Sequence, residues 1–192
     1  MRKNWIPLAL VFACLFALPY TAAAQARQPR VEVFGGYAML RPDFGKYNAQ
    51  LNNVMGWGLS VNNNVYRGFG LTVDSAGFYR KIQTTSSHTK ASAYSFMAGP
   101  TVSFRTQKVT PFIHVLAGVG ILSGRETSFT SNKRFSDHAF AGAIGGGLDV
   151  PVGRHVAIRA IEADYFPVHH ESGGNFHNIR WRSGIVFGFG GN

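Results

Sequence analysis

From Arg30 onward the chain alternates apolar and polar residues with a period of two. Eight runs read as strands: RVEVFGGYAML from Arg30, VMGWGLSVNNNVY from Val54, GLTVDSAGFY from Gly70, YSFMAGPTVSF from Tyr94, PFIHVLAGVGI from Pro111, FAGAIGGGLDV from Phe140, VAIRAIEADYF from Val156 and NIRWRSGIVFGFG from Asn178. Each has about the ten-residue length of a tilted strand that crosses a bilayer, and no helical period competes with the alternation. After the first 24 residues no apolar run reaches the roughly 18 to 20 residues of a spanning helix, so a membrane crossing by this chain uses strands.

The links between the runs alternate in length. Those from Arg41 to Asn53, Arg80 to Ser92, Leu122 to His138 and Pro167 to His177 are long and polar, whereas Arg67 to Phe69, Arg105 to Thr110 and Pro151 to His155 are short. An even number of antiparallel strands with tight turns at one end and long links at the other predicts an all-β fold. It is an eight-stranded, up-and-down transmembrane β-barrel with both termini in the periplasm. The faces carry the same message. Tyr94, Phe96, Ala98, Pro100, Val102 and Phe104 form the lipid-facing set of the fourth run, leaving Ser95, Met97, Gly99, Thr101 and Ser103 inside. In the fifth, Ile113, Val115, Ala117, Val119 and Ile121 face outward while His114 sits inside with Phe112, Leu116, Gly118 and Gly120. In the eighth, Ile179, Trp181, Ile185, Phe187 and Phe189 face lipid, and Arg180 and Arg182 point inward. Hydrocarbon tolerates no unpaired charge, so a barrel in lipid inverts the polarity of a soluble one. The competing class, a secreted lipocalin-like barrel with a ligand inside, requires apolar inward faces.

Tyr66, Tyr79, Tyr94, Phe104, Tyr165 and Phe166, near strand ends, are candidates for interfacial aromatic girdles. Glycines inside the runs, such as Gly145 to Gly147, permit tight curvature and leave room for large inward neighbours.

The first residues read as an export signal. Arg2 and Lys3 precede the apolar run Trp5 to Leu18 and the small residues Ala22 to Ala24, which predicts a signal peptide over 1–24, with cleavage after Ala24 or Ala26, and a barrel domain over 30–190. Cys14, the one cysteine, falls inside this run behind Val11, Phe12 and Ala13, a loose likeness to a lipoprotein box. Its loss with the signal removes disulfide and zinc-thiolate chemistry. Without Arg2 and Lys3 the 19 basic residues become 17 against nine acidic ones, a net charge of +8. No basic cluster interleaved with aromatics points to nucleic acid, so anionic lipid headgroups are the expected partner.

The alternation also places charges inside: Glu32, Asp74, Asp149, Arg159, Arg180 and Arg182. An eight-stranded barrel is just wide enough for its own side chains, so these read as a paired, space-filling set rather than a selectivity element, and no diffusion pore is expected. Glu32 in the first strand and Arg180 or Arg182 in the eighth become neighbours on closure and are expected to pair. In strand seven strict alternation sends Arg159 to one face and Glu162 with Asp164 to the other. Either a β-bulge lies between them or the acids emerge above the hydrocarbon.

VFGGYAML, GWGLSV, VDSAG, AGPTVSF followed by TPFIHVLAG, then GGGLDV, ADYF and the closing GIVFGFG occur in an order and spacing that resembles the small eight-stranded outer-membrane barrels, the OmpA transmembrane-domain and OmpX-like proteins. The likeness covers about Val31 to Gly190. Many such proteins end on an aromatic residue, whereas here Gly190, Gly191 and Asn192 follow Phe189. The resemblance implies outer-membrane lipid and lipopolysaccharide, periplasmic chaperones and the barrel-assembly machinery as partners, an extracellular ligand at the long loops, and no cofactor. Some similar barrels modify lipid A. That chemistry needs a His and Ser two apart with an orienting Glu, and His170, Glu171 and Ser172 have the residue types but sit in a loop. His169, His170 and His177 with Glu171 are the densest potential metal ligands, but no spacing fixes a geometry and no metal or catalytic site is assigned. The long links carry Arg41, Lys46, Arg80, Lys81, Lys90, Arg125, Lys133 and Arg134 against Asp43, Glu126, Asp137 and Glu171, a rim of +4 suited to lipopolysaccharide phosphates. The expected function is thus that of a non-enzymatic framework with binding in its surface loops.

Overall fold

All eight alternating runs become strands, because a period of two gathers each apolar set on one side of a sheet. In the computed structural model these are β1 (Val31–Arg41), β2 (Val54–Tyr66), β3 (Phe69–Thr84), β4 (Ser87–Ser103), β5 (Thr110–Ser128), β6 (Asn132–Pro151), β7 (Val156–His170) and β8 (Gly174–Phe189). Each pairs antiparallel with its neighbour in sequence, and β8 returns to β1 to close the barrel. The structure describes residues 29–42, 53–84, 87–128, 132–170 and 174–190, and no helix forms among them. The signal segment 1–24 and the rim residues Asp43, Lys46 and Glu171 lie outside the described residues.

Three short turns and both described chain ends gather at one end of the barrel. The β2–β3 turn is Arg67 and Gly68, with φ of 39° and 86°, the left-handed pair that a two-residue hairpin needs. In the β4–β5 turn the Thr106 hydroxyl donates to the Val109 carbonyl at 2.6 Å and accepts from its amide at 3.2 Å. The Val156 carbonyl clasps the β6–β7 turn, accepting from the amides of Val152 and Gly153, both at 3.0 Å.

At the opposite end the strands outrun the sequence expectation. Pairing continues to Thr84↔Ser87, Thr127↔Asn132 and His170↔Gly174, so most of 80–92, 122–138 and 167–177 is hairpin rather than loop. Alternating hydrophobicity marks only the stretch whose outer face is apolar. Beyond it the sequence is mostly polar without alternation, but the ladder hydrogen bonds do not depend on side-chain polarity and carry on.

The faces fall where the alternation puts them. Phe112, His114 and Leu116 are buried while Ile113, Val115 and Val119 are at least half exposed; Ser95, Met97, Thr101, Arg180 and Arg182 are inside, and Ile185, Phe187 and Phe189 outside. An apolar exterior around buried arginines is the reverse of a lipocalin and overturns that alternative. Tyr66 and Phe104 lie exposed at the ends of β2 and β4, and Tyr79 and Tyr165 lie exposed within the longer β3 and β7, but Phe166 does not belong with them. It follows the outward Tyr165 and so points inward, into a cluster with Met97, Leu116, Ala141 and Ala143.

Strand seven resolves as a bulge. Leu148 pairs with Ile161 and Asp149 with Arg159, skipping Ala160, while on the β8 side the register shifts between Arg159 and Glu162. Ala160 and Ile161 both lie exposed, so the parity of β7 flips and Arg159, Glu162 and Asp164 all turn inward.

Val115→Arg places a charge on this outer belt and is expected to destabilise the inserted barrel by about 2–4 kcal/mol near the membrane midplane, read from denaturant unfolding in liposomes. A neutral effect there would contradict the outward assignment of β5.

Candidate functional site

Seven of the inward charges, Asp149, Arg159, Glu162, Arg182, Asp74, Arg180 and Asp164, form one chain of alternating sign. Asp149 accepts from Arg159 Nε at 2.8 Å and from Nη2 at 3.0 Å, and Arg159 Nη1 donates to Glu162 at 2.8 Å. Glu162 Oε1 accepts from Arg182 Nε at 3.0 Å and from its Nη2. The Nη1 of Arg182 crosses the bore to Asp74, whose other oxygen accepts from Arg180 Nη1 at 2.8 Å. Arg180 Nε in turn donates to Asp164 at 2.8 Å, and His114 Nε2 lies 2.9 Å from the second oxygen of Asp164. His114 also approaches Glu162 at 3.8 Å, nearly closing a ring. Asp74, Glu162, Asp164, Arg180 and Arg182 are almost wholly shielded from solvent. Each such charge is costly unless opposite charges and hydrogen bonds surround it, which the alternation supplies.

The backbone makes room for this chain. In one ladder row His114, Gly145, Asp164 and Arg180 stand side by side, and a Cβ on Gly145 would lie 2.2 Å from Asp164 Oδ1. Glycine there lets the imidazole of β5 meet the carboxylate of β7 across β6. One row on, Gly147 separates Phe112 from Glu162, and its Cβ would strike the Phe112 ring at 2.8 Å. That ring and Phe34 sandwich the Arg159 guanidinium, 4.2 and 4.5 Å from their centroids.

Two further layers flank the network. Toward the chain ends Glu32 meets Arg105 Nη2 at 2.8 Å and accepts from Asn62 and Asn64 at 3.1 and 3.0 Å. Asn62 also accepts from Thr72, whose hydroxyl lies 2.6 Å from that of Thr101. Toward the opposite end Leu40 joins two apolar clusters, one with Met97, Leu116 and Phe166 and the other with Ala38, Ala76 and Phe78. Side chains thus cross the bore at three successive levels.

The expected Glu32 pairing with Arg180 or Arg182 is therefore wrong. The strands are adjacent, but Glu32 stands opposite Gly188 and Arg182 opposite Ala38. Six residues of register separate them, roughly 20 Å along a strand. Their real partners include Arg105, which the sequence placed in a turn, and Glu162 and Asp164, which strict alternation left on an undecided face. Counting register from the β1–β8 closure and granting the bulge would have found both acids.

His169 and His177 lie exposed on the outer surface, where His177 Nδ1 hydrogen bonds to the Tyr165 hydroxyl and the two rings stack at 5.9 Å. Glu171 and Ser172 lie outside the described residues, and His170 is described only as the last residue of β7. Neither the metal-ligand group nor the lipid A-modifying constellation of the sequence is therefore brought together among the described residues. His114, Glu162 and Asp164 offer three ligand atoms within 4.8 Å of one another. Their carboxylates already accept from Arg159, Arg180 and Arg182, whose charges oppose a cation.

Asp74→Ala leaves two buried guanidiniums short of a carboxylate and is expected to cost about 3–5 kcal/mol of stability in equilibrium unfolding. In double-mutant cycles Asp74 should couple to Arg182 by roughly 0.5–3 kcal/mol, and Glu32 to Arg180 by nearly nothing. A comparable coupling for both pairs would contradict the register.

The family described as Outer membrane protein beta-barrel domain matches residues 10–190. Among solved structures the fold is similar to the attachment invasion locus protein Ail of Yersinia pestis, with a TM-score of 0.63 and 20% identity over 84% of this chain and 99% of that one. It is also similar to a major outer membrane protein of Thermus thermophilus, at a TM-score of 0.54 and 10% identity over 82% of this chain and 99% of that one. Neisserial surface protein A gives 0.53 and 15% over 83% and 96%. Identities this low establish the fold alone, and no curated protein matches the sequence. The family match spans nearly the whole chain, and the closed barrel with its apolar exterior agrees with it: this is an outer-membrane protein that belongs to the outer membrane protein beta-barrel domain family.

Proposed function

We propose that this protein is a non-enzymatic surface barrel that works at its outer end, binding lipopolysaccharide or an extracellular partner through the hairpins beyond the membrane, rather than conducting through its bore. One observation carries the reading: β4, β5 and β6 run for 17, 19 and 20 residues, where a tilted strand needs about 9–11 to cross. The surplus carries paired strands beyond the apolar belt, while the bore beneath them is filled. A structure of the similar protein Ail in complex with the heparin analogue sucrose octasulfate supports the view that a barrel of this shape takes anionic sugar ligands.

Two experiments test the reading. Replacing 81–90 and 124–135 by two-residue Asn-Gly turns is expected to leave insertion intact, judged by heat-modifiable gel mobility, but to abolish retention on lipopolysaccharide-coated and heparin-coated beads. Equal retention by the trimmed barrel would overturn it. The export signal is proposed to span 1–24, so mass spectrometry of protein extracted from outer membranes should find a chain starting at Gln25 or Arg27. A chain starting at Met1, or a diacylated Cys14, would contradict that assignment.

A further inference from the structure

The short-turn end of the barrel carries an exposed basic residue at each of its four corners. Arg67 sits in the β2–β3 turn, Lys108 in the β4–β5 turn and Arg154 in the β6–β7 turn. Arg30 stands where β1 meets β8, its amide donating to the Gly190 carbonyl at 2.5 Å. Because the strands close in sequence order, neighbouring corners are two strands apart, so the cations divide the rim into quarters roughly 10 Å apart along the wall.

No exposed acid balances them among the described residues. The acids nearest this end, Glu32 and Asp149, point into the bore, where Arg105 and Arg159 hold them. Turn chemistry does not ask for this sign, since tight turns favour Gly, Asn, Asp and Ser, whose small or locally bonding side chains fit the backbone. Arg67 departs furthest from that preference. Its φ of 39° is left-handed, and that position of a two-residue hairpin is the one Asn, Asp or Gly fills without strain. A residue kept against its local preference points to work done by its side chain.

Each cation also adjoins exposed apolar groups. The Arg67 guanidinium lies 5.2 Å from the centroid of the Tyr66 ring, and Phe69 is exposed on the far side of the turn. Phe104 is exposed just before the Lys108 turn, Val152 two residues before Arg154, and Phe189 one residue before the Gly190 that binds Arg30. Exposed aromatic groups at strand ends mark the edge of the hydrocarbon, so these cations stand at the level of the headgroups. A ring that encircles the wall and continues the apolar belt suits lipids of the surrounding leaflet rather than a macromolecule docked at the mouth. In outer-membrane barrels the tight turns face the periplasm, which identifies the leaflet.

We propose that this rim binds anionic glycerophospholipids of the periplasmic leaflet, one headgroup phosphate at each of Arg30, Arg67, Lys108 and Arg154, with the acyl chains along the apolar groups beside them. The inference concerns the end opposite the proposed ligand-binding hairpins and does not depend on that reading.

The test refolds the full barrel in detergent, adds phosphatidylglycerol or phosphatidylcholine with the same acyl chains, and counts bound lipid by native mass spectrometry. Phosphatidylglycerol is expected to bind about fivefold more tightly, the gain that one cation provides at an anionic surface. Arg67→Gln/Lys108→Gln/Arg154→Gln should lose about three of the anionic lipids that the wild type retains, one for each cation removed, with an unchanged circular dichroism spectrum. Arg67→Asn guards against misfolding, because Asn suits the left-handed position better than Arg. Its barrel should be at least as stable to denaturant, yet hold about one anionic lipid fewer. Arg41→Gln, which removes an exposed cation at the opposite end, should lose none. A wild type that does not discriminate between the headgroups, or a triple variant that retains the wild-type number, overturns the proposal. Displacement of the lipid by an equal concentration of inorganic phosphate also overturns it, by assigning the corners to a free anion. So does retention on isolated peptidoglycan that the triple variant loses while its lipid count stays unchanged, which would assign the rim to the wall polymer.

Discussion

Burial of charge inside a narrow barrel is the constraint on which the rest of this structure depends. Eight strands enclose a space that side chains fill, and an exterior facing hydrocarbon forces the polar residues into it. Once there, each carboxylate or guanidinium must meet its opposite. The chain from Asp149 through Arg159, Glu162, Arg182, Asp74, Arg180 and Asp164 to His114 meets that demand with residues from five strands. Several backbone features follow from it. The extra residue Ala160 brings Glu162 and Asp164 to the same side as Arg159, and Gly145 and Gly147 hold β6 clear of the groups that bond across it.

The same constraint explains how much could be read from the residues alone. Strand number, order, turn ends and the faces of β4, β5 and β8 are legible because hydrocarbon on one side and polar filling on the other impose a period of two. The bulge in β7 was legible as a conflict but not as a solution, since two local geometries satisfied it. The partner of Glu32 was not legible at all. Adjacency of β1 and β8 follows from closure, but the six-residue offset between Glu32 and Arg182 is a property of register that no single strand carries. The hairpins beyond the membrane escaped for the opposite reason: where water lies on both faces, backbone hydrogen bonds hold the strands together without leaving an alternating pattern. Chain position groups Phe166 with the girdle aromatics, whereas the parity set by the bulge brings it inside.

Function follows from what this arrangement closes and what it leaves open. Arg105 and Glu32 cap one mouth, the ion chain fills the middle, and Leu40, Phe78 and Phe166 occupy the outer interior. Among the described residues the bore is filled at these levels, which supports the proposed function at the outside of the barrel. There the register sets the exposed Phe96, Val119 and Phe140 in one row and Tyr94, Ile121 and His138 two positions farther out, an apolar band bordered by aromatic and polar groups.

The claim that the bore is closed is tested most directly by electrical recording from the refolded barrel in planar lipid bilayers. The interlocked layers around Arg182 and Asp74 predict a silent baseline over long recordings, whereas a stable nanosiemens-scale conductance that follows the protein and vanishes with it would contradict the account.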